Sequence, residues 1–215
     1  SHGITQNAIR SLRYLDPFFQ RGFNALLIEH RNHGRSGGTN TSFGYYEKYD
    51  LKAWVDWVFR HNGEGCTVGV HGESMGAAIA IQHAAIDSRT AFIVSDCSFA
   101  RADDEFAYRL KADYHLPRFP FIPLASLICK LRTGFAFGSA APLEVIPTLQ
   151  LPIFFIHGAE DTFIPPNNSY KMYSAKPGVK ELWLAAGSEH AVSQPDHPEE
   201  YDQRIGEFLQ STGML

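Results

Sequence analysis

The sequence predicts an α/β fold, a mostly parallel central sheet flanked by helices. Three observations predict it. Short apolar runs alternate with stretches whose apolar residues recur at helical spacing. One of those runs, Thr67-Val68-Gly69-Val70-His71, leads through Gly72-Glu73-Ser74-Met75-Gly76 into the helix-forming stretch Ala77 to Ala85. Finally, Ser74, Asp161 and His190 each stand just past the end of a predicted strand, where open parallel sheets assemble their sites.

Taken in order, Asn7 to Arg21 reads as helical, and Gly22 marks the turn into a buried strand at Ala25-Leu26-Leu27-Ile28. A loop rich in Arg, His and Gly follows, from Arg31 to Gly38. Leu51, Trp54, Val55 and Val58 give helical spacing between Tyr45 and Arg60. The strand near Val68, its turn and its helix come next, then the apolar run Ala91-Phe92-Ile93-Val94 ending at Ser95-Asp96. Alternation then breaks. Ser98 to Gln150 far exceeds the usual connection of about 2–6 residues. It resumes with a strand at Ile153-Phe154-Phe155-Ile156, a helix starting at Pro165-Pro166, a strand from Val179 to Leu184 and a closing helix from about Glu199 to Leu209. Residues 1–97 and 151–215 are thus expected to form one core, with 98–150 as a cap inserted between its halves.

A strand, a G-x-S-x-G turn and a helix describe a nucleophile elbow. The serine at such a turn is strained, and Gly72 and Gly76 flank it because larger side chains would meet neighbouring backbone. A serine hydroxyl is a poor nucleophile at neutral pH. It needs a base within hydrogen-bond reach, and the base needs a partner that fixes its tautomer. His190, in the polar loop Gly187-Ser188-Glu189-His190, is the expected base, with His197 beside Pro198 as its competitor. Asp161, closing His157-Gly158-Ala159-Glu160-Asp161, is the expected acid, with Glu160 and Asp96 as alternatives. The order Ser, Asp, His is the one this architecture uses. Of the two oxyanion donors, one is expected from the Met75 N–H. The other is expected from His2-Gly3-Ile4-Thr5, where Ile4 is assigned and Gly3 or Thr5 are one-residue alternatives.

Composition removes other classes. A net charge of −4 gives no electrostatic case for a nucleic-acid partner, and no run reaches the ~18 apolar residues of a membrane span. Cys66, Cys97 and Cys129 cannot all pair internally, which fits a reducing compartment. His30 and His33 lack the further ligands of a metal site. Gly34-Arg35-Ser36-Gly37-Gly38 lacks the Lys-Ser/Thr of a phosphate loop. No cofactor and no metal are expected.

With these residues in hand, nearly the whole chain resembles an α/β-hydrolase. His2-Gly3-Ile4-Thr5-Gln6-Asn7, the loop Glu29 to Gly38 and His71-Gly72-Glu73-Ser74-Met75-Gly76 are similar to a subgroup of bacterial serine hydrolases related to the esterase and prolyl-oligopeptidase-like branches. The resemblance implies Ser74 as nucleophile, His190 as base, Asp161 as acid, and Ile4 and Met75 as oxyanion donors. It implies the machinery and not the substrate; the expected activity is hydrolysis of a small-molecule ester without a cofactor, with amide or peptide hydrolysis, or acyl transfer, as alternatives on the same triad. In the cap, Phe106, Tyr108, Phe119, Phe121 and Leu124 are candidate contacts for an apolar acyl or aromatic group, or else simple packing. One departure stands out. In the family three strands precede the His-Gly turn, which here occupies residues 2 and 3, and the third of them lies between the strands expected at Ala25 and Val68. An upstream segment is therefore expected to supply it. The expected location is cytoplasmic, or membrane-anchored through such an upstream region.

Overall fold

The computed structural model describes residues 1–215. A 3₁₀ turn at Ala8–Tyr14 and the short α1 (Asp16–Phe19) open the chain, followed by α2 (Glu47–Asn62). Strand β1 (Val68–Glu73), α3 (Met75–Ala84) and β2 (Thr90–Asp96) form the first alternating unit. Between β2 and the next strand the chain forms α4 (Ala102–Tyr114), α5 (Arg118–Thr133) and the short α6 (Pro142–Val145). The chain then returns through β3 (Ile153–Gly158), α7 (Asn167–Ala175), β4 (Lys180–Ala185), α8 (Ser193–Asp196) and α9 (Pro198–Ser211).

The four strands make one sheet in the order β1-β2-β3-β4, and every neighbouring pair is parallel. Both faces are buried, which is why the strands read as nearly unbroken apolar runs. Side chains alternate between the two faces with period two. Ile93, Ile153 and Phe155 join Leu51, Val55 and Ile79 in one cluster, under α2 and α3. Phe92, Val94, Phe154 and Ile156 join Tyr201, Ile205 and Phe208 in the other, under α9. A smaller cluster of Ala78, Phe99, Ala102, Ala140 and Ile164, with Phe43 and Phe106 against it, packs the start of α4 against α3.

Two sequence expectations differ from the structure. Asn7 to Arg21 is not one helix but a 3₁₀ turn and a single helical turn, with Pro17 in the first turn of α1. Ala25-Leu26-Leu27-Ile28 carries no regular secondary structure. A strand needs a ladder, and β1 pairs on one side only, with β2. On its other side lies a cavity of about 440 Å³ whose lining includes Phe23, Leu26, Ile28, Trp54, Val68 and Val70.

Candidate active site

Parallel strands deliver Ser74, Asp161 and His190 to one end of the sheet. Ser74 follows β1, Asp161 follows β3 and His190 follows β4. Ser74 sits at φ 54° and ψ −117°, a left-handed conformation strained for a residue with a side chain. Its neighbours explain how the turn closes. A Cβ on Gly72 would lie 2.5 Å from the Ala77 nitrogen, and one on Gly76 would lie 2.2 Å from the Ser1 carbonyl oxygen. Neither position has room for a side chain. The Ser74 N–H donates to the Asp96 carbonyl at 2.7 Å, and the Ser74 carbonyl accepts from Ala77 and Ala78 as α3 begins.

The three side chains lie in hydrogen-bond sequence. His190 Nε2 is 3.0 Å from Ser74 Oγ, and His190 Nδ1 is 2.6 Å from Asp161 Oδ2. The other carboxylate oxygen of Asp161 accepts from the backbone N–H groups of Phe163 and Ile164 at 2.9 and 2.8 Å. Burial alone would raise the Asp161 carboxyl; hydrogen bonds from His157 and His190 outweigh it and hold the group at about 2. An ionised Asp161 can accept only, so the proton of that contact belongs to His190 Nδ1. That leaves Nε2 free to accept from Ser74.

The competing groups lie elsewhere. Asp96 is fully buried, and its Oδ2 accepts from Tyr201 Oη at 3.0 Å. Burial and the nearby Glu73 charge push its carboxyl up to about 7. Glu160 is exposed. His197 Nε2 donates to the Ala186 carbonyl at 2.8 Å, at the entry to α9.

The His2–Thr5 segment lies against the elbow. A Cβ on Gly3 would stand 3.4 Å from Ser74 Cβ, and the Ser1 carbonyl accepts from the Glu73 N–H at 3.0 Å. Neither the Ile4 nor the Met75 N–H donates to a backbone acceptor. His2 fixes this turn: its Nε2 accepts from the His30 N–H at 3.1 Å, so its Nδ1 carries the proton donated to the Gly3 carbonyl at 2.7 Å. His30 Nε2 lies 2.7 Å from Ser1 Oγ, so His30 serves the same turn.

Several site residues escape a reading of the sequence alone. Glu73, the variable position inside the motif, is only 1% exposed. It accepts from Gln6 Nε2 and Tyr14 Oη, both at 2.5 Å, and pairs with Arg13. This one buried carboxylate ties residues 6–14 to the elbow. His157, four residues before Asp161, has its Nε2 2.7 Å from the Ile164 carbonyl and 3.2 Å from Asp161 Oδ2, and its Nδ1 2.7 Å from Ser169 Oγ. Phe163 lies with its ring 5.0 Å from the His190 imidazole, beneath the Arg109 guanidinium. The only sequence signal for these is proximity to the motif and to Asp161.

Of the aromatic candidates between β2 and β3, Phe106 packs edge-on against Phe43 and Phe137, at 4.9 and 4.6 Å between centroids. Tyr108 Oη donates to the Thr162 carbonyl at 3.0 Å, so it reaches the Asp161 loop. Phe119 and Phe121 are exposed, as is Leu124. Their helix turns a different face inward.

This constellation on a parallel sheet defines a hydrolase of α/β type, and comparison with known proteins agrees. The family model described as "Serine aminopeptidase, S33" matches residues 1–112. Protein YqkD of Bacillus subtilis is 40% identical over 210 residues, covering 97% of this chain and 69% of that protein. The chain belongs to this serine aminopeptidase family of α/β-hydrolases. Among solved structures, the Pyrococcus furiosus esterase Pf2001 aligns with a TM-score of 0.78 at 27% identity, over 98% of this chain and 80% of that one. A monoacylglycerol lipase from Paleococcus ferrophilus shares the fold, with a TM-score of 0.68 at 15% identity over 98% of this chain and 92% of that one.

Proposed function

We propose that this protein hydrolyses carboxylic esters through Ser74, His190 and Asp161. The observation that carries the reading is the unbroken contact sequence from Ser74 Oγ to His190 Nε2 at 3.0 Å and from His190 Nδ1 to Asp161 at 2.6 Å, on a serine at positive φ. Ser74 Oγ attacks the ester carbonyl as its proton passes to His190 Nε2. The N–H groups of Met75 and Ile4 receive the oxyanion; losing one such donor typically costs about 10²–10³ in rate. Collapse breaks the bond to the alcohol, which takes the proton from His190. Water then attacks the acyl-Ser74 ester, giving its proton to His190, and the acid departs as Ser74 Oγ is reprotonated.

Ester preference is supported by the esterase at 27% identity. The description of the matching family favours a second reading, in which the scissile bond is an aminoacyl amide. A panel of p-nitrophenyl esters of graded acyl length, run against aminoacyl p-nitroanilides, separates the two. Faster turnover of esters by about a hundredfold or more is expected, and amides matching the best ester would reverse the assignment.

We also propose that the cavity beside β1 receives an extended apolar segment from outside residues 1–215, as a strand between β1 and Ala25–Ile28. The apolar lining, the edge of β1 that no strand covers and that only Ser1 meets, at His71 and Glu73, and the greater length of YqkD and of the Pyrococcus esterase support this. In a longer polypeptide, amides in Ala25–Ile28 and in the part of β1 before Glu73, which Ser1 already holds, should exchange more slowly than in residues 1–215 alone. Equal exchange in both would count against a strand there.

A further inference from the structure

Away from the site, α5 wears its apolar residues on the side facing solvent. Ile122, Ser126, Cys129 and Thr133, spaced four, three and four residues apart, turn inward. Ile122 is buried, Ser126 Oγ accepts from the Phe137 N–H at 3.0 Å, and Tyr46 Oη donates to the Thr133 carbonyl at 3.1 Å. The opposite stripe is Phe121, Leu124, Leu127, Ile128 and Leu131, with exposures of 41, 54, 52, 49 and 78%. These positions recur at helical spacing and form one face. A continuous exposed apolar face of this kind marks an interaction surface.

Charge indicates what covers it. Between Asp113 and Glu144 the chain has no Asp or Glu, although its net charge is −4. Arg118 is held by Asp103 and Asp104. Lys130 and Arg132, exposed beside Leu131, have no ion-pair partner. A Phe/Leu face bordered by free cations and lacking carboxylates is the pattern of a helix that lies in a membrane interface. Length agrees. The helix is broken at Phe119 (φ −96°, ψ 135°), and the unbroken stretch from Pro120 to Thr133, at about 1.5 Å per residue, is about 21 Å long, short of the ~30 Å hydrocarbon core. No single helix of the chain is long and apolar enough to cross a membrane; α5 reaches that length only together with Phe137–Thr148, across a bend of 76°. Two copies meeting through this face would gather Lys130 and Arg132 from each with no carboxylate on the helix to meet them.

We propose that the outer face of α5 docks on an anionic lipid surface. The helix lies along the interface, with Leu124, Leu127, Ile128 and Leu131 at the acyl boundary and Lys130 and Arg132 at the level of the phosphates. This surface is independent of which bond the Ser74 site cleaves.

Flotation of the whole protein with vesicles tests it. Wild type should float with phosphatidylcholine vesicles containing phosphatidylglycerol, and less so as salt rises. Leu127→Glu with Leu131→Glu should weaken binding by about tenfold or more, since charge at the apolar boundary is strongly disfavoured. Lys130→Glu with Arg132→Glu should abolish the preference for phosphatidylglycerol. All four positions are exposed, so circular dichroism and melting of the variants should match wild type. Wild type that does not float, or folded variants that float equally, would overturn the proposal. So would a wild-type dimer in sedimentation that Leu131→Glu splits, because a second copy would then be the occupant.

Discussion

Replacing Ser74 with Ala should lower ester turnover by about a thousandfold or more while leaving the fold intact. The hydroxyl is the only group removed, and its one side-chain contact is with His190. The backbone bonds that build the elbow, from the Ser74 N–H to the Asp96 carbonyl and from Ala77 and Ala78 to the Ser74 carbonyl, do not depend on the side chain. Any residual activity would come from binding and from the oxyanion donors acting on water. A variant keeping more than a tenth of wild-type turnover would mean that another group attacks. Steady-state kinetics on a p-nitrophenyl ester, with circular dichroism as the folding control, measures both sides of this.

Asp161→Asn should be nearly as damaging, by about three to four orders of magnitude at neutral pH. The reason is directional. One carboxylate oxygen accepts from the Phe163 and Ile164 N–H groups, so the amide oxygen of an asparagine would stay there. Its NH₂ would then face His190 Nδ1, which would have to accept. The imidazole proton would move to Nε2, the atom that must accept from Ser74. The same residue sets a pH dependence. Its folded value of about 2 is below the ordinary 3.8, so the folded state holds the carboxylate more tightly than the unfolded state does. That stability is present above about pH 4 and is lost as pH falls toward 2. Acid titration of wild type and Asp161→Asn should therefore differ in that window. Identical acid unfolding, or near-normal turnover of the variant, would contradict the role given to Asp161.

The parts of this protein that read well from sequence are those set by local chemistry. The strands β2 and β3 are apolar runs because both sheet faces are covered, and the turn around Ser74 needs glycine where backbone approaches within 2.5 Å. The loops after β3 and β4 carry Asp161 and His190 to the same edge because parallel strands all end there. What the sequence hides depends on distant neighbours. Ala25–Ile28 is as apolar as a strand, yet apolarity does not supply a ladder partner. Glu73 looks like a variable motif position until Gln6, Arg13 and Tyr14 are seen around it. Phe119 and Phe121 suggest an acyl pocket by residue type alone. Their direction is set by which side of α5 docks, and there Ser126, Cys129 and Thr133 take the inner positions.

The central claim is that the Ser74 hydroxyl is the nucleophile, and a fluorophosphonate probe followed by peptide mapping tests it most directly. The account predicts a single adduct on the peptide bearing Ser74, absent from Ser74→Ala and strongly slowed in His190→Ala. An adduct on a different residue, or equal labelling of wild type and Ser74→Ala, would contradict it.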